Sequence, residues 1–352
     1  MNKKYRIIIV LLFSFFVTAC SKDEVSSTKY NTTFQTISSG AYHQIALDIS
    51  GNLWAYGSNK NGQFGNSSTV DFYDKFIQVS DGKKYQTIAA GGDFSMAIDA
   101  SGYLWAWGDN SSGQLGNGRT VNELSPIQVK TGTKFKCIAA SAGHGAPLPS
   151  HALAIDEIGN LWAWGDNGYG QIGNGTTTDK LSPVRIKSGT YFKAVAASWS
   201  HSLAIDVLGN LWAWGNNMDG QVGNGSTTFK INSPTMIKSG TKFKNVAVGC
   251  SQSFALDIDG NLWAWGDNNY SQLGDGTTNV SRTPIQIMAG TKFKSISGGS
   301  VHTWAIDEAG NLFQWGSTSR IPKHIKTNKK FIAVSGFCWA WAIDGSGNLV
   351  EL

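Results

Sequence analysis

Short apolar segments alternate with polar, glycine-rich segments along almost the whole chain, always in the same order. One unit reads FKCIAA (Phe135–Ala140), HALAID (His151–Asp156), LWAWG, a long polar loop, and PVRIK at 183–187. Such short segments, bounded by Gly, Asn and Ser, are typical of strands, and the doubly apolar LWAWG segment indicates a strand covered on both faces. Because Gly and β-branched residues interrupt every window of helical length, the pattern predicts an all-β protein with four strands per unit.

The unit is repeated seven times. Its LWAWG-type segment ends at Gly57, Gly108, Gly165, Gly215, Gly266 and Gly316, and a seventh copy, AIDGSGNLVEL, ends at Leu352. The intervals are 50 or 51 residues, except for one of 57. A period near 50 residues with four short strands fits a propeller blade. We therefore expect residues 34–352 to form a single seven-bladed β-propeller with four-stranded blades.

The first nineteen residues differ from the repeats and have the layout of an export signal. Lys3, Lys4 and Arg6 precede an apolar run at 7–17, which is too short to span a bilayer. The VTAC tetrad that ends at Cys20 resembles the lipobox of bacterial lipoproteins, and this resemblance implies acylation of Cys20. Residues 1–19 are then a signal peptide, and residues 20–33 are a tether or a closing strand. The protein is therefore expected in the bacterial cell envelope, held by a lipid anchor at the outer membrane. It is expected on the cell surface if the SKDE segment after Cys20 acts as an export signal.

Removal of that segment changes the charge. The whole chain has a formal charge of +5, and residues 20–352 have +2, since three basic side chains are lost. The remaining lysines are scattered through turns such as GTKFK, so no nucleic-acid partner is expected.

The repeat resembles the regulator-of-chromosome-condensation (RCC1) family. The motif GxxHSxAID, followed by GNLWAWGDNxxGQLGNG, is visible at 198–206 and 209–225, with Ser198 where the family usually has Gly. The resemblance implies a seven-bladed propeller. Guanine-nucleotide exchange is not expected, because an envelope lipoprotein does not meet a nuclear GTPase and no exchange residues match. Some bacterial relatives of the fold cap an enzyme with an aromatic rim.

Two sets of repeated polar residues are interpreted as structural. Seven aspartates open the DxxGN turns, where a carboxylate accepts backbone N–H bonds: Asp48, Asp99, Asp156, Asp206, Asp257, Asp307 and Asp344. Histidines share one position in four copies, where the others have Phe94, Gln252 and Trp339: His43, His151, His201 and His302. A position that accepts an aromatic or an amide is not a metal ligand, so neither a metal nor a cofactor is expected.

Three further cysteines, Cys137, Cys250 and Cys338, lie in non-adjacent copies, and buried thiols are expected, although their redox state stays open. No catalytic motif of the nucleophile-elbow, zinc-protease or phosphate-loop type appears. The chain is therefore expected not to be an enzyme.

A binding site is sought where the copies differ. Most candidates come from the histidine position and the turn before it: Tyr42, Asp93, Phe94, Trp199, Phe337 and Trp339. Two more, His144 and Pro147, come from segment 141–150, which contains the insertion that lengthens the 57-residue interval. A second variable set after the WG pair is expected on another rim: Lys60, Tyr169, Met218, Asp219 and Tyr270.

These features predict a monomeric, membrane-anchored binding module that recognises a protein or another macromolecule through one rim. A glycan-binding lipoprotein is the alternative, and a lyase or hydrolase site at the propeller mouth is a third hypothesis. Ring closure is open, because the first copy has only residues 25–33 in place of the Pro-led strand that precedes the other copies. Those residues either supply that strand or leave the first blade three-stranded.

Overall fold

The computed structural model describes residues 30–142 and 150–352, and within these ranges every regular element is a β-strand. The strands form seven antiparallel sheets in chain order, six with four strands and one with three. This is the seven-bladed β-propeller that the repeat spacing predicts. Across the described ranges, no helix is long and apolar enough to cross a membrane.

The first strand of every blade lines the axis of the propeller, and the second strand pairs with it. The first strands are β1 (Phe34–Ser39), β5 (Tyr85–Ala90), β9 (Phe135–Ala140), β13 (Phe192–Ala197), β17 (Phe243–Val248), β21 (Phe293–Gly298) and β25 (Phe331–Gly336). The second strands are β2 (His43–Asp48), β6 (Phe94–Asp99), β10 (His151–Asp156), β14 (His201–Asp206), β18 (Gln252–Asp257), β22 (His302–Asp307) and β26 (Ala340–Asp344).

The third and fourth strands continue each blade outwards. The third strands are β3 (Leu53–Ser58), β7 (Leu104–Gly108), β11 (Leu161–Gly165), β15 (Leu211–Asn216), β19 (Leu262–Gly266), β23 (Leu312–Gly316) and β27 (Leu349–Glu351). The fourth strands are β4 (Phe72–Val79), β8 (Glu123–Gln128), β12 (Lys180–Ile186), β16 (Lys230–Ile237), β20 (Ser281–Ile287) and β24 (Ser319–His324).

The repeated aspartate holds the turn between the second and third strands. Asp206 Oδ1 accepts the backbone N–H of Asn210 at 2.8 Å, and its Oδ2 accepts the Asn210 amide at 2.8 Å. The same Oδ2 accepts the indole N–H of Trp212 at 3.0 Å. Equivalent bonds recur at Asp48, Asp156 and Asp257. The prediction that these carboxylates are structural is confirmed.

Neighbouring blades are joined by a buried tryptophan and a glycine loop. Trp214 is completely buried, and its indole N–H donates to the carbonyl of Gln171 in the preceding blade at 2.7 Å. Gly173, with φ +82°, lies so close that a Cβ would stand 2.7 Å from Trp214 Nε1. The loop therefore needs glycine for both its backbone conformation and this close approach.

The ring closes by the same contact that joins its other blades. The Phe34 N–H donates to the carbonyl of Gly347 at 2.9 Å, as the Phe192 N–H donates to that of Gly159 at 2.8 Å. The Tyr30 ring packs edge-on against Trp54 at 5.8 Å, and its hydroxyl accepts the N–H of Phe76 at 3.1 Å. Closure thus uses repeated backbone bonds and aromatic packing.

The strand order corrects the expectation about the first blade. The Pro-led strand pairs with the third strand of its own copy, as β12 pairs with β11 and β16 with β15, so the first blade is complete. The three-stranded blade is the last one. Residues 30–33 form no strand, and residues 25–29 lie outside the described part.

Candidate functional site

The strand directions give the propeller two rims. The upper rim holds the turns between first and second strands and the loops between third and fourth strands. The lower rim holds the DxxGN turns and the loops that connect one blade to the next. On the upper rim, the N–H of Asp109 bonds to the carbonyl of Asp93, and the N–H of Asn216 to that of Ser200, both at 2.8 Å.

Both variable sets therefore lie on the upper rim. The expectation that the second set occupies another rim is wrong, because antiparallel neighbours bring the end of the first strand and the end of the third strand to the same edge. Tyr169 of the second set lies 6.1 Å from Trp199 of the first, ring centre to ring centre.

The turns before the second strands form a belt around the upper mouth of the central cavity, which holds about 220 Å³. At six of the seven junctions, a turn bonds to the turn of the next blade. These contacts are Ala41 N–H to Gly91 O at 3.1 Å, Gly92 N–H to Ser141 O at 2.9 Å, the bridge between Ala142 and Ser198, Ser198 Oγ to Gly249 O at 2.6 Å, Cys250 N–H to Gly299 O at 3.4 Å and Ser300 N–H to Phe337 O at 3.2 Å.

Two of the candidate aromatic residues are packed inside this belt. Phe337 is 6% exposed and packs with Ala41 and Ala142, with Tyr42 and Cys250 against the same cluster. Phe94 has no exposed surface at all, since it occupies the buried first position of β6. The structure therefore removes both side chains from the contact surface, because apolar rings near the axis fill space between converging blades.

The remaining candidates of the turns keep solvent access. Trp339 is 44% exposed, and Tyr42, Asp93 and Trp199 are half-buried on the upper rim.

Three of the residues singled out in the sequence, Cys20, His144 and Pro147, lie outside the described residues, and their roles stay predictions. The insert that carries His144 and Pro147 leaves the described chain after Ala142, which pairs with Ser198, the residue before Trp199.

An aromatic patch lies on the upper rim where the third and fourth blades meet. It consists of Tyr169, Trp199 and Phe229, with Tyr169 placed 5.9 Å from Phe229 and 6.1 Å from Trp199. Lys230 Nζ lies 5.2 Å from the Tyr169 ring centre and donates to the carbonyl of Gly168 at 2.6 Å. Phe229 is 41% exposed. Sequence reasoning missed Phe229, although its position varies among copies, with Asn122, Asp179 and Val280 as its equivalents.

Carboxylates are distributed around the same rim. Burial, and then the nearby charge of Asp109, raise the pKa of Asp93 to about 6, against a hydrogen bond from Asn61 that lowers it. Gln63 Nε2 also donates to Asp93 Oδ1 at 3.0 Å. Burial, followed by the charge of Asp267, raises the pKa of Asp219, which Arg282 lowers. Mutual repulsion of these groups means that a cation placed on this rim would be stabilised.

Three of the four repeated histidines face the interior and connect blades, whereas His302 lies 2.6 Å from Ser317 Oγ of its own blade. The Nε2 atoms of His43, His151 and His201 lie 2.7, 2.8 and 2.9 Å from a serine Oγ in the next blade. Burial lowers the pKa of each of the three to about 3, so they are neutral at pH 7. In the described ranges no group of three or more His, Cys, Asp or Glu side chains is placed to hold a metal ion.

The cysteines are closer together than their copy numbers indicate. Cys250 packs against the cluster that contains Phe337, the residue before Cys338, although a whole blade lies between the two copies. The reason is the belt, which brings every turn towards the axis. Burial, and then the charge of Cys250, raise the pKa of Cys338 to about 12. Cys137 and Cys250 are half-buried and Cys338 is exposed, so the expectation of buried thiols is wrong for Cys338.

Known proteins share both the sequence repeat and the fold. The "Ultraviolet-B receptor UVR8" of Arabidopsis thaliana is 31% identical over 248 residues, 68% of this chain and 55% of that protein. The human "E3 ubiquitin-protein ligase HERC2" is 30% identical over 253 residues, 70% of this chain but 5% of that protein. The chain thus matches about half of the first relative and a small part of the second.

Solved structures give the same fold at lower identity. Human WBSCR16 superposes with a TM-score of 0.78 at 19% identity, covering 92% of this chain and 87% of that one. Prp20p of Saccharomyces cerevisiae, studied for its binding to Gsp1p and histones, gives a TM-score of 0.75 at 21% identity, covering 90% and 81%.

The repeat described as "Regulator of chromosome condensation (RCC1) repeat" matches most of the chain, at residues 50–98, 101–146, 159–205, 209–256 and 259–306. A second description of the same repeat matches residues 34–63, 85–114, 192–221 and 243–272. With its motifs, its seven blades and these matches in agreement, the chain belongs to the regulator of chromosome condensation (RCC1) repeat family.

Proposed function

We propose that this protein is a binding module that holds a partner protein on its upper rim and is anchored to a bacterial membrane through Cys20. The observation that carries the proposal is the aromatic patch of Tyr169, Trp199 and Phe229, which gathers side chains from two blades at one accessible place. Prp20p, which has the same fold, has been studied for its binding to the proteins Gsp1p and histones.

The patch has the properties of a binding hot spot. Trp and Tyr supply large contact areas at low conformational cost, and they dominate the energy of many protein interfaces. Trp199 stands in a turn that bonds to both neighbouring blades through Ser198, so little conformational entropy is lost at this residue when a partner docks.

The carboxylates of the same rim favour a partner with a cationic surface. Asp93 is repelled by Asp109, and Asp219 by Asp267, so a lysine or arginine placed beside either pair relieves that repulsion. We expect binding to weaken below about pH 6, where Asp93 takes up a proton.

A glycan ligand is supported less well. Sugar rings stack on flat aromatic platforms, whereas the planes of Tyr169 and Trp199 are inclined at 58°, and those of Tyr169 and Phe229 at 55°.

An enzyme site at the propeller mouth is also supported less well. Among the described residues of the turns around the mouth, Asp93 is the carboxylate whose pKa is raised, and the buried His43, His151 and His201 are engaged between blades. We therefore propose binding without catalysis.

The anchor is a separate part of the proposal and has its own test. Substitution Cys20→Ser should release the protein from the membrane fraction of cells that express it. Retention of the variant in that fraction would contradict acylation at Cys20.

The binding test uses a chain that begins at Ser21 and keeps every described strand. Purified protein is immobilised and exposed to envelope extract and, in parallel, to a glycan panel. The triple substitution Tyr169→Ala, Trp199→Ala and Phe229→Ala should remove the captured protein. The matched control is Tyr191→Ala, which removes an exposed aromatic ring from the lower rim. Equal capture by wild type and triple variant, or capture of a glycan alone, would overturn the proposal.

A further inference from the structure

The lower rim collects most of the lysines of the propeller. They come from the loops between blades and from the second position of the first strands, and nine of the fifteen are exposed while six are half-buried. These residues, which we call the lysine rim, are Lys83, Lys84, Lys130, Lys134, Lys136, Lys187, Lys193, Lys238, Lys242, Lys244, Lys292, Lys294, Lys326, Lys329 and Lys330. In four consecutive blades the second residue of the first strand is a lysine, near the opening of the central cavity on the lower rim: Lys136, Lys193, Lys244 and Lys294.

Exposed aliphatic side chains stand between these lysines. The DxxGN turns leave them at their tips, with exposures of 65% for Ile49, 73% for Ile158, 51% for Val207, 71% for Leu208 and 59% for Ile258. The turns touch the lysine loops directly.

Two backbone bonds make this contact. The N–H of Ile258 donates to the carbonyl of Lys242 at 3.0 Å, and the N–H of Glu157 to that of Lys134 at 3.1 Å. Apolar tips and ammonium groups therefore alternate on one surface.

The acidic groups of the lower rim do not cancel this pattern. The seven turn aspartates are buried or half-buried, and their oxygens accept N–H groups, as those of Asp206 accept from Asn210 and Trp212. One of them, Asp344, also lies 3.3 Å from Lys329. The other carboxylates in the turns and loops of this rim are Asp81, Glu157, Asp259 and Glu308, and Glu308 lies 3.9 Å from Lys244. The exposed charge of the lower rim is mainly positive, whereas the carboxylates whose pKa is raised, Asp93, Asp166 and Asp219, lie on the upper rim.

The chain also enters the propeller from the lower rim. Strand β1 begins at Phe34, which pairs with Asp48 of the first DxxGN turn. The carbonyl of Thr33 accepts the N–H of Ile49 at 2.9 Å, so the residue before the first strand lies beside an aliphatic tip. Any anchor attached ahead of residue 30 therefore joins the propeller at this surface.

We propose that the lower rim docks flat on an anionic phospholipid surface. The lysines interact with headgroup phosphates, and the aliphatic turn tips enter the boundary between headgroups and acyl chains. Exposed aliphatic side chains surrounded by lysines suit this interface, where one end of the contact is apolar and the other is charged. The choice of a membrane rests on the proposed anchor, since the tether leaves from the same rim. In this orientation the upper rim faces away from the bilayer and keeps the aromatic patch accessible.

The test measures vesicle binding by the chain that begins at Ser21, so that acylation contributes nothing. The protein is sedimented with vesicles of phosphatidylglycerol mixed with phosphatidylcholine, and with vesicles of phosphatidylcholine alone. One variant carries Ile158→Ser, Leu208→Ser and Ile258→Ser, and a second carries Lys193→Gln, Lys244→Gln and Lys294→Gln. The matched control carries Met218→Ser and Tyr270→Ser, two exposed residues of the upper rim.

We expect binding to the anionic vesicles, at least about tenfold weaker binding by each lower-rim variant, and unchanged binding by the control. Added salt should weaken the wild type, since the attraction of the lysines is screened. No binding to anionic vesicles, or equal binding by all variants, would overturn the proposal. Binding to duplex DNA without binding to vesicles would assign the lysine rim to nucleic acid and would also overturn it. None of these outcomes depends on partner capture by the upper rim or on the fate of Cys20, so the two proposals fail separately.

Discussion

The upper rim presents aromatic rings and carboxylates that differ from blade to blade, whereas the lower rim presents lysines and aliphatic tips that recur in most blades. Both rims are connected by the same strands, so the difference comes from the loops and from the strand ends. On the lower rim, the loops repeat almost literally, as in the GTKFK segments that contain Lys134, Lys242 and Lys292. A repeated surface can bind weakly at many points, and a varied surface can recognise one partner at a single place.

The comparison also shows where sequence repetition stops being informative. Identical positions explain the turn at Asp206 and the contact between Trp214 and Gln171. They do not distinguish Trp199, which is half-buried on the surface, from Phe337, which is 6% exposed at the centre of the belt. The distinction depends on distance from the axis, which a linear pattern does not contain.

The largest expected effect comes from breaking the core that supports both rims. Substitution Trp214→Ala removes a completely buried indole and its bond to Gln171, and should destabilise the protein by about 3–5 kcal/mol. Met218→Ala, at an exposed position of the upper rim, should change stability by less than about 0.5 kcal/mol. Chemical denaturation of both variants measures the difference in the free energy of unfolding. Equal losses of stability in the two variants would contradict the prediction that the buried core, and not the exposed rim residue, determines stability.

The second prediction concerns recognition by the upper rim alone. Substitution Phe229→Ala should weaken partner binding by about 1–2 kcal/mol, because it removes an exposed ring that supports Tyr169. Tyr191→Ala on the lower rim should leave partner affinity unchanged. Titration calorimetry with the captured partner measures both, and a greater loss for Tyr191→Ala would reverse the assignment of the rims.

The third prediction uses the buried histidines that join the blades. In the unfolded chain a histidine takes up its proton near pH 6.5, whereas burial lowers the pKa of His201 in the folded protein to about 3. Stability is therefore complete above pH 6.5 and decreases as the pH falls towards 3.

Between pH 7 and pH 5 this loss should amount to about 1–2 kcal/mol per histidine. His201→Gln, with the residue found naturally at Gln252, should flatten the pH dependence of unfolding by that amount. An unchanged pH profile in the variant would contradict the neutral, buried state of His201.

The smallest expected effect concerns Asp93 on the upper rim. Its pKa in the folded protein is about 6, raised by burial and by Asp109, so ionisation of this carboxyl costs stability as the pH rises from about 4 to 6. Asp93→Asn should therefore stabilise the protein by about 1 kcal/mol at pH 7 and have no effect near pH 3.5, after allowance for solvent screening. Thermal unfolding of the variant and the wild type at pH 7 and pH 3.5 measures the difference in stability. Stabilisation at pH 3.5 alone would contradict the predicted direction of the pH dependence.

Much of the fold can be predicted from the sequence, because each blade repeats the same local signals. The GN turns, the aspartates and the two-sided apolar strands specify the blades, and seven copies specify the ring. The closing arrangement could not be predicted, since it depends on which neighbour the strand beginning near Pro183 pairs with. Pairing with β11 of the same copy leaves the last blade short.

The candidate site was predicted only in part. Trp199 was found because it departs from the repeat, and Phe229 departs equally but stands in a loop whose rim was misassigned. The meeting of Tyr169, Trp199 and Phe229 at the junction of two blades is a property of three-dimensional packing. Phe94 shows the converse, since a residue that varies in sequence is completely buried.

The most direct test of the central claim is photo-crosslinking in cells that express the full chain. A photoreactive phenylalanine analogue replaces either Phe229 on the upper rim or Tyr191 on the lower rim, two exposed aromatic positions. The account predicts a discrete crosslinked protein from position 229 and none from position 191. A protein crosslinked from position 191, with none from position 229, would show that the partner binds the lower rim and would contradict the account.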